Sequence, residues 1–309
     1  MSDHTRVRVF AAHGISIFLW ASAFAGIRVG LEAYSPEHLS VLRFLVGSLF
    51  LAILAPFFRV RLPALRDVPF LLLLGALGFT VYHTALNYGE QTISAGVASL
   101  FVATTPIFAA LLALLFFRER FGIKGWIGAL IGFTGVALSS IGTGQPIQLS
   151  SGIFLILLAS FSESIYFAFQ KKYVEKYGSF AFTAYTIWAG TLFMLVFLPG
   201  LDTAVMQAPL DVTLSVLYLG IFPSVVAYLT LAYVTSVVGT SEATSSLYLT
   251  PALAFLIAWV WLKEVPSLLT IIGGVVTLGG VLLSTVKTGK TGTEMPQTEK
   301  RGTAHIKNV

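Results

Sequence analysis

An acidic side chain lies in the middle of a strongly apolar stretch around residue 163. Tyr166 and Gln170 follow Glu163 at positions i+3 and i+7, so the three side chains share one face of a helix. An ionisable group inside hydrocarbon costs on the order of a few kcal/mol or more, and it normally faces a cavity or a partner. We predict that this face lines a cavity, where Glu163 binds a substrate ammonium group or carries a proton. The alternative is that Glu163 is protonated or paired and only holds two helices together.

Two arginines lie within or at the edge of other apolar stretches. Arg43 and Arg28 can attract a carboxylate, or they can close the outer end of a cavity together with Glu32, Glu37 or Glu90. The alternative is that each side chain extends to the membrane interface or binds carbonyl groups at a helix end. We include Arg43 in the predicted binding site.

A histidine lies in the third apolar stretch. His83 is one helical turn from Asn87 and adjacent to Tyr82. A histidine can titrate near neutral pH, although a lone histidine in a helix bundle is often a packing residue. The chain has no cysteine and no second histidine or carboxylate at ligand spacing, so we expect no metal and no cofactor. Four further residues complete the predicted substrate site, or alternatively only pack: Trp20, Ser22, Tyr228 and Tyr248.

The elements that position these residues are membrane-spanning helices. The 309 residues are 56% hydrophobic, with a mean hydropathy of +0.85, and only 11% are charged, against about 25% in soluble domains. At roughly 20 residues per span we expect an all-α integral membrane protein. We place about ten spans near residues 10–31, 38–57, 68–88, 93–117, 123–142, 152–172, 180–199, 212–234, 239–262 and 267–287.

The distribution of positive charge predicts the orientation in the membrane. With the N-terminus inside, 16 of the 19 Lys and Arg residues fall in inside segments, and only Lys263 falls in an outside loop. By the positive-inside rule, both termini are cytoplasmic and the protein lies in the cell (inner) membrane as a multi-pass protein. The net charge of +5 is therefore a topology signal, and we expect the lipid bilayer and no nucleic acid as a partner.

The chain contains an internal repeat. Six residues recur in the same order 145 residues later: Tyr88/Tyr233, Ala98/Ala243, Pro106/Pro251, Glu119/Glu264, Gly128/Gly273 and Gly135/Gly280. About five spans separate the copies, and an odd number inverts the second copy in the bilayer, as in secondary transporters. We predict repeats at residues 1–143 and 144–287, followed by a disordered cytoplasmic tail at 288–309.

Repeated prolines and glycines predict mechanical and packing roles. Pro106 and Pro251 are expected in mid-helix, where paired kinks could act as hinges or could be static bends. Gly125, Gly128, Gly132 and Gly135 form a smooth stripe on the fifth span. The stripe predicts packing of the fifth span on the tenth, either within one chain or between two chains as a homodimer.

Several short stretches resemble the EamA family of the drug/metabolite transporter superfamily. They are WASAF at residues 20–24, LRF at 42–44, SAGVASL at 94–100, Pro106, FRER at 117–120, and a weaker second set of GTSEA at 239–243, Pro251 and KE at 263–264. Ala21 stands where glycine is common in the family, and Glu90-Gln91 is a second departure. The resemblance implies two five-helix halves around a central cavity, and the export of amino acids, metabolites or drugs.

Two function hypotheses follow. The first is a secondary transporter that exports a small organic solute, such as an amino acid or amphipathic metabolite, by alternating access, driven by protons or by facilitated diffusion. The second is an intramembrane enzyme acting on a lipid or lipid-linked substrate, with Glu163 or His83 as base. No nucleotide-binding or metalloprotease motif and no plausible Ser–His–Asp set is present. The repeat therefore favours the non-enzymatic reading, with no catalytic residue.

Overall fold

The computed structural model describes residues 3–117, 123–142, 151–238 and 249–285. Within these ranges every regular element is helical. The α-helices in chain order are α1 (Asp3–Gly30), α2 (Pro36–Leu54), α3 (Val68–Gly75), α4 (Tyr82–Glu90), α5 (Ala95–Val102), α6 (Thr105–Phe117), α7 (Ile123–Ile141), α8 (Ser151–Tyr177), α9 (Ser179–Met194), α10 (Leu201–Gln207), α11 (Leu210–Ile221), α12 (Ala227–Val238), α13 (Thr250–Leu262) and α14 (Leu268–Thr285). The predicted tail at 288–309 lies outside the described residues.

Six helical stretches in the described part of the chain are long and apolar enough to cross a membrane. They are Asp3–Gly30, Pro36–Leu54, Val68–Glu90, Ser151–Tyr177, Ser179–Phe197 and Leu210–Val238. Shorter apolar helices lie at Ala95–Ala109, Ile123–Ser139, Thr250–Leu262 and Leu268–Gly280, inside the other predicted spans. Large apolar side chains cover the outer surface, as lipid contact requires; Phe10 and Val275 are examples. The protein is a multi-pass helical membrane protein.

Two of the long stretches contain a π-helical turn, which the sequence did not predict. One (Ala76–Val81) joins α3 to α4, and the other (Phe222–Val226) joins α11 to α12. Their last residues are 145 positions apart, which is the offset of the sequence repeat. A π-helical turn widens the helix locally and redirects the side chains after it, and such turns are frequent at functional sites.

The prediction that Pro106 lies in mid-helix was wrong. The chain leaves the helix at Ala103 and Thr104, so Pro106 is the second residue of α6. Pro251 is likewise the second residue of α13. Proline is well accommodated in the first helical turn, because the N–H that it lacks would have no helical partner there.

The glycine stripe of α7 contacts α14 of the same chain. A Cβ atom added to Gly280 would lie 2.6 Å from the carbonyl oxygen of Gly128, and one added to Gly135 would lie 2.6 Å from the carbonyl oxygen of Gly273. Residue numbers rise along one helix as they fall along the other, so the two helices are antiparallel. The two contacts also pair repeat-equivalent residues reciprocally. The sequence left open whether this stripe packs within or between chains, and the intrachain contact is the one observed.

Two helices occupy the centre of the bundle. α1 packs against α5, α11, α12 and α13, whereas α8 packs against α4, α5, α6 and α9. Both π-helical turns contact this centre, the first through α8 and the second through α1. The candidate site is built from these four elements together with α2, α4, α6 and α12.

Candidate functional site

Glu163 lies in the interior of the bundle, and its side chain is reached from two other helices. The residue is 5% exposed. Its carboxyl oxygens accept hydrogen bonds from Thr105 Oγ1 on α6 and from the Tyr228 hydroxyl on α12, each at 3.4 Å. In the described ranges no lysine or arginine forms an ion pair with it. Both contacts are long and the hydroxyl groups are neutral, so the carboxyl group is free to bind a cation or hold a proton.

Aromatic rings surround Tyr228. The ring centroids of Trp20, Phe79 and Tyr166 lie 5.0, 4.9 and 6.0 Å from that of Tyr228. Trp20 is fixed in place by a hydrogen bond from Nε1 to the carbonyl oxygen of Pro223 at 3.1 Å, in the second π-helical turn. The sequence prediction placed Trp20, Tyr166 and Tyr228 in one site, and the structure brings these three rings together. Phe79 was missed, because its role depends on the first π-helical turn.

Arg43 is a buried cation with an incomplete set of partners. It is 1% exposed, and its Nε donates to Ser224 Oγ at 2.5 Å. The guanidinium carbon lies 5.7 Å from the centroid of the Phe44 ring. Nη1 is buried and has no hydrogen-bond partner among the described residues. A buried donor without a partner is costly, so this group is a strong candidate for an anionic ligand.

His83 lies among aromatic rings beside Arg43. Its ring centroid is 4.7 Å from that of Phe44 and 4.6 Å from that of Tyr82. Both ring nitrogens are buried and have no hydrogen-bond partner within the part of the chain that the structure describes. Asn87, one turn further along α4, donates from Nδ2 to Ser40 Oγ at 2.8 Å, while its Oδ1 has no such partner.

The remaining predicted residues occupy different parts of the interior. Gln170 is 2% exposed, and its Nε2 has no partner among the described residues. Ser22 shares a 2.6 Å hydrogen bond with the Tyr218 hydroxyl, on the side of the bundle formed by α1 and α11. Tyr248 lies outside the described residues, as do Glu119 and Glu242, for which the sequence had suggested bracing and helix-capping roles. No group of three potential ligands in the described residues could hold a metal ion.

One end of the bundle is closed by charged residues from three elements. Arg28, at the end of α1, donates from Nη1 to the carbonyl oxygen of Glu90 at 2.5 Å. Its Nε lies 3.6 Å from Glu264 Oε1, and Glu264 Oε2 accepts from the backbone N–H of Ala95 at 3.1 Å. Burial raises the pKa of Glu264, and Arg28 acts against that shift. The sequence had suggested Glu32, Glu37 or Glu90 as partners of Arg28; Glu264 was not among them.

The opposite end is held by a second polar cluster. Asp67, just before α3, accepts from Lys176 Nζ at 2.5 Å and from the Tyr177 hydroxyl, both at the end of α8. These hydrogen bonds lower the pKa of Asp67. The backbone N–H of Ala64 donates to Tyr177 at 3.2 Å. The chain between α2 and α3 is thereby tied to α8.

The fold and the buried polar interior define a helical membrane protein with groups suited to bind a small solute. The profile of the EamA-like transporter family matches the chain twice, at residues 11–141 and 150–286. The protein belongs to this family of transporters.

Three comparisons add detail. A Bacillus subtilis (strain 168) protein named "Uncharacterized transporter YdfC" is 54% identical over 284 residues, 92% of this chain and 93% of that one. A Streptantibioticus cattleyicolor protein named "Probable terminal-alkyne amino-acid exporter" is 36% identical over 269 residues, 87% of this chain and 90% of that one. A solved crystal structure shares the fold at 19% identity, with a TM-score of 0.62, covering 90% of this chain and 96% of its own.

Proposed function

We propose that the protein is a secondary transporter that exports an amino acid or a similar small amphipathic solute across the cell membrane. The observation that carries the proposal is the pair of buried, under-partnered groups in an aromatic interior: the Arg43 guanidinium and the Glu163 carboxyl group. An amino acid presents the complementary charges, a carboxylate and an ammonium group. The exporter relative named for an amino acid supports the same substrate class.

The substrate's charged groups would bind at opposite sides of the aromatic cluster. Arg43 Nη1 and one nitrogen of His83 would bind the carboxylate, since both lack partners among the described residues. Glu163 and the face of Tyr228 would bind the ammonium group, or Glu163 would carry the coupling proton. The rings of Trp20 and Tyr166 would contact the apolar side chain. Asn87, Gln170, Tyr82 and Ser22 would contribute further buried polar or aromatic contacts to the site.

Alternating access between inverted halves is the mechanism that we infer. The reciprocal contacts of Gly128 with Gly280 and of Gly135 with Gly273 support a pseudo-twofold axis between α7 and α14. The two π-helical turns at the repeat offset support it independently. The halves would comprise residues 1–143 and 144–287 as ten spans, with both termini cytoplasmic. They would rock about hinges near Pro106 and Pro251.

We also propose that the outer faces of α7 and α14 form the contact surface of a homodimer. Trp126 and Leu130 on α7 and Val275 on α14 are exposed apolar residues beside the glycine contact. A second chain would bind there through these faces and not through the glycines, which the intrachain contact already uses. Chemical cross-linking in native membranes would test this arrangement.

Flux measurements in sealed proteoliposomes test the function. Radiolabelled amino acids with apolar and charged side chains would be compared, with and without an imposed pH gradient. Saturable flux of an apolar amino acid supports the proposal, and accumulation only with the gradient supports proton coupling. The absence of flux for every amino acid and amphipathic metabolite, together with turnover of a lipid-linked substrate, would favour the enzymatic alternative instead.

A further inference from the structure

Arg28 and Glu264 form a charged closure at one end of the bundle. Behind this closure lies a carboxyl group that has no role in the proposed transport cycle. Glu90 is 0% exposed, and neither of its carboxyl oxygens has a hydrogen-bond partner among the described residues. Arg28 nevertheless contacts Glu90, since it binds the backbone carbonyl of that residue at 2.5 Å. The guanidinium group also lies within electrostatic range of the Glu90 carboxyl group, with which it forms no hydrogen bond.

We propose that Glu90 is a proton-binding site that opens and closes this end of the protein by competing with Glu264 for Arg28. The inference rests on the proposed transport function and extends it. When Glu90 is protonated, it offers Arg28 no charge, and Arg28 binds Glu264. When Glu90 releases its proton to the adjacent aqueous face, its carboxylate draws Arg28 away from Glu264.

The closure joins parts of the chain that are distant in sequence. Arg28 and Glu90 belong to α1 and α4, whereas Glu264 lies between α13 and α14. Glu264 also accepts a hydrogen bond from the first N–H of α5. Losing Arg28 would leave Glu264 attached to α5 only by hydrogen bonds from the backbone of Ala95 and Gly96. The ion pair therefore adds, to the packing of α1 on α13, a link between the end of α1 and the residues just after α13.

The observed arrangement matches the protonated form of Glu90. A carboxylate in a buried site requires donors or a bound cation, and none of the described residues donates to the carboxyl oxygens of Glu90. Glu264, by contrast, has a backbone donor and Arg28 as partners, which suit a carboxylate. The side chains of Arg28 and Glu264 are 35% and 24% exposed, so water can reach the pair when it separates.

Other titratable groups near Glu90 bear on the response to pH. The elements packed against α4 are α1, α2, α5, α8 and the first π-helical turn. Neither α5 nor the π-helical turn contains a titratable side chain. The relevant groups are Arg28 on α1; Glu37, His38 and Arg43 on α2; Tyr82, His83 and Tyr88 on α4 itself; Glu163 and Tyr166 on α8; and Lys263 and Glu264 after α13. Glu90 interacts electrostatically with Arg28, Glu264 and Arg43. Arg43 is the second cation near Glu90, but its Nε is engaged by Ser224.

The closure should be tightest at intermediate pH. Acid that protonates Glu264 removes the partner of Arg28, and alkali that deprotonates Glu90 diverts Arg28. A plot of the closed population against pH therefore has an acidic limb due to Glu264 and an alkaline limb due to Glu90. On the alkaline limb the ratio of closed to open protein should change by up to about tenfold per pH unit, as expected for release of one proton.

The absence of cysteine in the chain makes a direct distance measurement possible. Spin labels on cysteines at Gln91 and Val265, which are both exposed, report the separation of the two sides of the closure. The distance between the two labels is measured by pulsed electron paramagnetic resonance, with the protein in lipid nanodiscs, from pH 4 to pH 9. Because the measurement needs no substrate, it gives an answer even if the proposed solute class is wrong.

Glu90→Gln should keep the acidic limb and remove the alkaline limb. Glu264→Gln should give the open distance at every pH, and it supplies a second test if Glu90→Gln does not fold. The matched control is Glu32→Gln, an exposed carboxyl group on the same side of the protein, which should retain both limbs. An alkaline limb that persists in Glu90→Gln, or a pH response that persists in Glu264→Gln, overturns the proposal.

Discussion

Arg43 on α2 donates from Nε to the hydroxyl group of Ser224 at 2.5 Å, and this bond joins α2 to the second π-helical turn. The bond fixes one edge of the guanidinium group and leaves Nη1 without a partner among the described residues. Ser224 is therefore a positioning residue for the cation that we assign to the substrate carboxylate.

Removing the Ser224 hydroxyl should weaken solute binding without removing the charge. A hydrogen bond to a charged group contributes about 1.5–3 kcal/mol, so Ser224→Ala should raise the half-saturation concentration roughly 10-fold or more. Arg43→Gln should abolish saturable flux. Ser236→Ala removes an exposed hydroxyl from α12 and should leave flux unchanged. An unchanged half-saturation concentration in Ser224→Ala would show that Ser224 does not contribute to solute binding.

Glu163→Gln tests the proposed proton site. The amide retains the shape, its oxygen can accept from Tyr228 and its NH2 group can donate to Thr105 Oγ1, but it cannot release a proton. Accumulation driven by a pH gradient should therefore be lost, while exchange of solute across the membrane without a gradient should persist. Glu175→Gln is the matched control, since Glu175 is on the same helix with a side chain 64% exposed. Gradient-driven accumulation that survives in Glu163→Gln would exclude Glu163 as the proton carrier.

Hydrophobicity and motif order were sufficient to predict the family, because transfer into lipid imposes a long apolar span on each crossing segment. The burial of Glu163 could be predicted for the same reason, since the residue lies well inside the apolar stretch of α8 that precedes Gln170. The two π-helical turns could not. A π-helical turn changes the backbone hydrogen-bonding pattern within a segment whose composition remains uniformly apolar, so hydropathy does not reveal it. Phe79 and Ser224, which lie in these turns, were missed with them.

The ion-pair partners of charged residues at the helix ends could not be predicted from the sequence either. Glu32, Glu37 and Glu90 were the expected carboxylate partners of Arg28, yet it forms its ion pair with Glu264. This pair depends on how α1 lies against α13, which is a tertiary contact with no periodic signature. The break before Pro106 was missed for a related reason, because proline is compatible with both a mid-helix kink and a new first turn.

Asp67 should make the stability of the protein depend on pH. Its pKa is lowered from the ordinary 3.8 by Lys176 and Tyr177, so the stabilisation is complete above the ordinary value and is lost as the pH falls through the lowered pKa. Asp67→Asn should therefore lower the melting temperature at pH 7, and the difference from wild type should shrink at the acidic end. Asp202→Asn, at an exposed carboxyl group on α10, should have no such effect. Melting curves in detergent between pH 3 and pH 7 would measure both, and a difference that does not depend on pH would contradict the prediction.

Adjacent glycines on α14 provide a matched pair for the helix contact. A Cβ atom at Gly280 would lie 2.2 Å from the backbone nitrogen of Gly132, whereas one at Gly279 would meet nothing within 4 Å. Because the obstacle at Gly280 is backbone, α7 and α14 must separate, so Gly280→Ala should lower the free energy of unfolding by about 1–3 kcal/mol. Gly279→Ala should be neutral or stabilising by up to about 1 kcal/mol, since alanine favours the helix. Both substitutions add one methyl group, so the difference between their unfolding curves isolates the contact. Equal stability of the two variants would show that α7 and α14 do not pack through these glycines.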